Sequence, residues 1–233
     1  MRIHLFQRKE LVLSLFLFLS GLLLYFYPAI SDFWNQYHQS VAIAGYRNKV
    51  TAIDETKTRE LWREAEEYNR SLLKKEDRFL LSEEELAQYF HLLDVTGTGI
   101  MSYLEIPVIH VSLPIYHGIE EGTLQIAAGH IPGTSLPVGG EGTHCVLSGH
   151  TGLPSAKLFT DLRKMKKGDR FQIITLGRTL TYEVDQILTV LPSETTALAI
   201  EPGRDYCTLI TCTPYGINSH RLLVRGRRVN PIT

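Results

Sequence analysis

Thr208-Leu-Ile-Thr-Cys-Thr-Pro-Tyr-Gly-Ile-Asn-Ser-His-Arg221, running on into Leu222-Leu-Val-Arg225, is the stretch on which the reading of this chain turns. An apolar, β-branched run ends in a cysteine, a loop rich in Pro, Gly and Asn follows, and a second apolar run is entered through an arginine. That pattern reads as strand, loop and strand. It sets Cys212 and Arg221 near each other at one end of a sheet.

Working outward, the same β texture fills the C-terminal half. Runs at Val108–Leu113, His144–Leu147, Phe171–Leu176, Thr179–Val190, Tyr206–Cys212 and Arg221–Val229 are separated by loops rich in Gly, Pro and Ser, as in a barrel or sandwich. One helix is expected among them, Ala156–Met165, capped by Ser155 and stopped at Lys166-Lys-Gly-Asp. Asp94-Val-Thr-Gly-Thr-Gly-Ile-Met-Ser-Tyr-Leu-Glu105 has the Asp, Gly and Glu positions of a calcium-binding EF-hand loop, but Thr96 and Thr98 are poor ligands and no helix follows. It reads as a glycine turn leading into the first strand, with no metal site.

Toward the N-terminus the texture changes. Leu11 to Ile30 is an uncharged run rich in Leu and Phe, long enough to cross about 30 Å of hydrocarbon. Arg2, Arg8 and Lys9 precede it, so the positive-inside rule leaves them cytoplasmic and sends everything after Ile30 outside the cell. Tyr25, Tyr27 and Trp34 suit an outer aromatic belt. The run exceeds a usual signal-peptide core and no small-residue cleavage site follows, which favours an anchor over a cleaved leader. From Ser31 to Leu93 the chain is polar and helix-like, with Leu61, Ala65, Tyr68 and Leu72 on one face. Residues 74–85 break that pattern, and Ser82 with Glu85 forms a capping box for a short helix. The expected organisation is 1–30 cytoplasmic tip and anchor, 31–93 helical arm with a distinct segment at 74–85, and 94–233 β-domain. The chain stops at Val229-Asn-Pro-Ile-Thr233, after the last strand, so one N-terminal anchor is the expectation.

With 24 Lys and Arg against 25 Asp and Glu, nothing points to nucleic acid as a partner. Three cysteines, Cys145, Cys207 and Cys212, are too few and too uneven for a disulfide framework or a zinc site. Each is read singly. A thiol nucleophile needs a base or cation to favour the thiolate, and a donor for the oxyanion formed when it attacks a carbonyl. His150, after Cys145-Val-Leu-Ser-Gly, and the rigid donor fork of Arg221 are of the right kinds. Taken alone, that spacing also fits a buried, inert cysteine. Cys207 lies five residues before Cys212 and so faces the other way on a strand. It and Cys145 read as core, and a bond between them needs a geometry that sequence does not show. His144 and His220 read as structural or rim residues, and His110, His117 and His130 have no metal-like spacing.

Thr208-Leu-Ile-Thr-Cys212 resembles the T-L-x-T-C signature of sortases, the membrane-bound cysteine transpeptidases of Gram-positive bacteria, and Arg221 stands where that family has its arginine. Thr143-His-Cys-Val-Leu-Ser-Gly-His150 matches the histidine segment. Glu105–Gly118, Gly133–Gly140, Gly152–Leu162 and Cys212–Gly226 are similar to the pilin-polymerising class C sortases in particular. The resemblance, covering about Ile100 to Val229, implies an eight-stranded sortase-type β-barrel with short helices, without cofactors. It also implies roles: Cys212 as nucleophile, His150 as general acid/base, Arg221 as oxyanion and positioning group. Cys212 would cut an LPxTG-like sorting signal between Thr and Gly, and a lysine amine of the next pilin would resolve the thioester. A housekeeping sortase that anchors proteins to peptidoglycan, a hydrolase, and a non-enzymatic pilus-assembly protein are the rivals. Class C enzymes usually carry an Asp-Pro-aromatic lid. Here the corresponding segment is Asp77-Arg78-Phe79, without the proline, which implies a loose or absent lid. Asp77, Phe79 and Thr211 are the substrate-binding or lid candidates.

Overall fold

The computed structural model describes residues 2–229, and the tail at 230–233 lies outside them. A helix, α1 (Arg2–Ala52), runs through Pro28 and measures ~75 Å at 1.5 Å per residue. Its apolar stretch is exposed throughout Leu11–Ile30 except around Ser20, and in length and composition it suffices to cross a membrane. The helix does not end with the apolar run but continues past residue 30 onto the β-domain. There Ile43, Tyr46 and Val50 pack on Ile100, Tyr103 and Ile174. Tyr46 Oη donates to the Met101 carbonyl and accepts from the Leu176 amide, at 2.9 Å each.

Asp54 caps the next helix, α2 (Glu55–Leu72), its carboxylate accepting from the Lys57 amide. The predicted stripe is the face turned inward: Leu61, Ala65 and Leu72 are buried and Tyr68 half-buried, with Asn69 bonded in both directions to the Leu136 backbone. The Ser82–Glu85 capping box starts α3 (Glu83–His91) as expected. Tyr89 of α3 is fully buried, stacks on His130 and meets that residue's ring nitrogen and carbonyl through its hydroxyl. Both helices therefore pack on the β-domain.

The β-domain is a closed eight-stranded barrel: β1 (Ile100–Ile106), β2 (Val111–His117), β3 (Ala128–His130), β4 (Thr143–Ser148), β5 (Arg170–Thr175), β6 (Arg178–Val190), β7 (Asp205–Thr213) and β8 (His220–Val229). The order around it is β1-β2-β3-β4-β7-β8-β6-β5. The β2/β3 and β4/β7 pairs are parallel and the others antiparallel. A short helix, α4 (Glu121–Leu124), sits in the β2–β3 connection.

Two expectations are corrected, and one strand is added. The run Val108–Leu113 is not the first strand: β1 precedes it, Pro107 ends β1 by opening a 3₁₀ turn, and His110 in the left-handed region (φ 53°) sends the chain back as β2. Residues Ala156–Met165 do not form an α-helix. Leu158 has φ 38°, the Lys157 amide is taken by Asp32 of α1, and only a 3₁₀ turn at Leu162–Lys164 remains. Long-range partners outweigh a modest helical propensity here. Finally, β3 is too short to show in the sequence. The Asp94 loop is a side-chain-closed turn, its carboxylate accepting from the Thr96 and Gly97 amides, with Glu105 in β1 across from Ser112. Among the described residues no group of His, Cys, Asp or Glu is arranged to hold a metal.

Candidate active site

Side chains alternate between the two faces of a strand, and on β4, β7 and β8 that alternation sorts core from site. Cys145, Leu147, Cys207, Leu209, Leu222 and Val224 point into the barrel core. Val146, Ile210 and Leu223 belong to a second apolar cluster on the outer side, roofed by Leu198 of the β6–β7 connection. Cys212 and Arg221 continue this outer face by parity, and His150 follows two residues after Ser148 on it.

Register brings the three predicted residues to one end of the barrel. Cys212 and Arg221 are direct partners across the antiparallel β7/β8 pair. On the other side of β7, the parallel β4/β7 ladder matches Ser148 with Ile210, and the Gly149 amide extends it by donating to the Ile210 carbonyl at 3.1 Å. His150 is thereby level with Cys212. All three side chains are half-buried, between core and solvent.

Two local devices hold the histidine. Gly149 packs on the buried Phe159 ring so closely that a Cβ on it would stand 2.7 Å from the ring, and the Phe159 amide donates to the His150 carbonyl at 3.0 Å. Thr211 supplies the second: its hydroxyl donates to the Gly149 carbonyl at 2.7 Å, and the residue is only 4% exposed. The hydroxyl of Thr211, a substrate-binding or lid candidate in the sequence, thus ties the histidine segment to the strand of the nucleophile.

The Arg221 guanidinium lies over its own loop, donating to the carbonyls of Asn218 and His220 at 3.2 Å each. That loop is closed by the Pro214 carbonyl, which accepts from the amides of Ile217 and Asn218. Glu121 of α4 is the residue that sequence reasoning missed. Its Oε1 stands 3.5 Å from His150 Nε2, an ion-pair rather than hydrogen-bond distance, and that nitrogen is buried without a hydrogen-bond partner. No sequence signal marks Glu121, because it comes from a four-residue helix far from His150 in the chain.

Among the described residues no hydrogen bond or ion pair joins Asp77 or Phe79 to Cys212. Asp77 accepts from the Phe79 amide, and Phe79 is 39% exposed. Between them, Arg78 donates to the carbonyls of Gly133 and Leu198, and its guanidinium lies 4.5 Å from the centroid of the Phe79 ring. The segment is thus docked against the roof of the outer apolar cluster, and a cavity of about 390 Å³ separates it from Thr195, Ala199 and Ile200.

His144 is structural. Buried on the outer side of β4, it meets the Ala199 carbonyl through Nδ1 at 2.8 Å and the Thr208 hydroxyl through Nε2 at 2.7 Å. Burial pushes its imidazole down to about 4.

Comparison with known proteins agrees with this architecture. The crystal structure of sortase C1 from Streptococcus agalactiae superposes with a TM-score of 0.80 at 46% identity, covering 82% of this chain and 99% of that one. Sortase C-1 from Actinomyces oris gives 0.71 at 48% identity, over 75% of this chain and 99% of that one. In sequence, sortase A of Streptococcus agalactiae is 30% identical over 113 residues, 47% of this chain and 45% of its own length. The matched part spans about half the length of the curated relatives. The sortase-domain family model matches residues 104–229, more than half of the chain and the whole of the site-bearing strands, and the chain belongs to the sortase family.

Proposed function

We propose that the chain is a class C-like cysteine transpeptidase that joins pilin subunits. The observation that carries this reading is the convergence of Cys212, His150 and Arg221 on one outer face of three contiguous strands, at one end of the barrel. In this mechanism the Cys212 thiolate attacks the carbonyl of Thr in an LPxTG-like sorting signal. Arg221, always protonated and fork-shaped, holds the carbonyl oxygen as charge develops on it. His150 protonates the departing glycine amine, leaving a thioester on Cys212. A pilin lysine amine then enters, gives its proton to His150, attacks the thioester and releases Cys212 with a new isopeptide bond. The nucleophile, the acid/base and the oxyanion donor of this cycle are all side chains of this protein, and the reading calls for no cofactor.

Residues 1–30 are read as cytoplasmic tip and anchor, 31–93 as helices leading to and bracing the barrel, and 94–233 as the catalytic domain. By the arginines and lysine before the apolar run, the catalytic domain sits on the extracellular face of the membrane. Asp77 and Phe79 are read as parts of a lid over the approach to Cys212, held in place by Arg78.

The test is to incubate the chain with pilins carrying LPxTG-like tails and to look for Cys212-dependent, SDS-resistant ladders. Monomeric pilin alone, with Cys212 shown to form a thioester, refutes polymerisation. Relatives named sortase A at 28–30% identity favour a second reading, attachment of surface proteins to peptidoglycan. A peptidoglycan-stem amine used in preference to a pilin lysine would decide for it.

A further inference from the structure

The strands that present His150 and Cys212 carry, on their opposite face, two thiols with no part in that chemistry. Cys145 lies five residues before His150 on β4, and Cys207 five before Cys212 on β7. Both are buried in the barrel core, at 3% and 0% exposure, and both are free thiols in this structure. The parallel register sets one directly opposite the other. Adjacent strands lie about 4.8 Å apart, within the roughly 4.4–6.8 Å between Cα atoms that a disulfide spans.

We propose that Cys145 and Cys207 are a dithiol–disulfide couple, an oxidation site that staples β4 to β7 behind the catalytic face. The oxidant is a low-molecular-weight disulfide met while the chain folds, before the core closes over the pair. One of the two cysteine thiolates attacks one sulfur of that disulfide and expels a small thiolate. The other cysteine thiolate then attacks the protein sulfur of the mixed disulfide and expels the second small thiolate. The protein gives up two protons and two electrons, and the small disulfide is reduced to two thiols.

The consequence is mechanical. A covalent tie at this pair fixes the β4/β7 register five residues behind His150 and Cys212, so neither strand can slip without the other. Once folded, the bond is shut away from reductants.

The experiment uses the full chain in detergent with Cys212→Ala, which leaves Cys145 and Cys207 as the only thiols. It is refolded with glutathione disulfide and glutathione, or with reductant alone, then denatured and treated with a maleimide. The expected result is no maleimide taken up after oxidative refolding, two taken up after reductive refolding, and a peptide joining 145 to 207 in the unreduced digest. Closing a loop of about 60 residues should also raise Tm by roughly 10 °C. Two maleimides per chain after oxidative refolding, or one with a glutathione adduct on the other thiol, overturns the proposal. The same count on chain isolated natively after export to an oxidising compartment is independent of refolding: two free thiols there also overturn it.

Discussion

Gly149→Ala tests the geometry that holds the base. Gly149 sits between the last residue of β4 and His150, and a Cβ there would meet three atoms of the Phe159 ring at 2.7, 2.9 and 3.1 Å. Phe159 is fully buried, so the ring has no free space into which to turn, and the backbone of 149 must move instead. Overpacking of this kind costs about 1–3 kcal/mol. Moving Gly149 also strains the bonds that tie it to Ile210 and Thr211, which set His150 level with Cys212. A displacement of about 1 Å at a catalytic group is enough for ~10²-fold in rate. The expected outcome is a Tm lower by roughly 3–10 °C and a kcat/KM for a sorting-signal peptide and an amine acceptor down by one to two orders of magnitude. Thiol alkylation of Cys212 by a small reagent should stay within a few-fold, since Cys212 itself does not move. Shrinking the ring supplies the internal control: in Gly149→Ala with Phe159→Leu, activity should exceed that of Gly149→Ala alone, a coupling between touching residues. Wild-type kcat/KM and Tm in Gly149→Ala would refute the account of how the histidine is held.

Thr211→Val, which keeps the shape and removes the hydroxyl, leaves the Gly149 carbonyl without its partner; unfolding in urea should show a loss of about 1–2 kcal/mol, with kcat reduced several-fold and KM for the sorting signal unchanged. Arg221→Lys keeps the charge but loses the fork, and kcat should fall by ~10²-fold or more while Tm moves little; equal activity in a single-turnover thioester assay would remove Arg221 from the oxyanion role. Arg78→Ala frees the 74–80 segment from Gly133 and Leu198, so Cys212 should be alkylated several-fold faster, and an unchanged rate would mean that this segment does not guard the thiol. For pH, burial lowers the His144 imidazole from 6.5 to about 4, so the unfolded chain binds the extra proton first; stability contributed by neutral His144 is full above pH 6.5 and is lost as pH falls from 6.5 to 4, by at most about 3 kcal/mol. Urea midpoints measured across that range should slope less in His144→Gln than in the wild type.

What the sequence made legible follows from local pattern. Five of the eight strands run in period-2 or continuous apolar stretches bounded by Gly, Pro and Asn, and β7 with β8 could be placed to within a residue at each end because Cys212 and Arg221 bracket the connecting loop. What it hid depends on tertiary contacts. Pro107 and His110 fold one apolar run into a corner between two strands, and neither strand is bounded by the apolar run itself. Lys157 gives its amide to Asp32 rather than to a helical carbonyl, a partner more than a hundred residues away. Thr211 looked like a polar residue beside the nucleophile, and only the closed β4/β7 ladder shows that its hydroxyl is spent on Gly149. Glu121 is invisible for the same reason, since nothing near it in the chain refers to His150.

The segment before α3 shows how one missing residue is offset by another. Without proline, Asp77-Arg78-Phe79 should wander, since nothing covalent restricts φ there. In the folded chain the restriction comes instead from Arg78. Its guanidinium reaches the Gly133 carbonyl on the β3–β4 connection and the Leu198 carbonyl on the β6–β7 connection, and its own carbonyl approaches Gly133 so closely that a Cβ there would stand 2.1 Å away. Position 133 must therefore be glycine on two grounds, its φ of 79° and this contact. Burial lowers the Arg78 pKa yet leaves the side chain charged, and two carbonyls replace the water it gives up. A proline would fix one backbone angle; Arg78 fixes the same segment by tying it to two connections of the barrel at once.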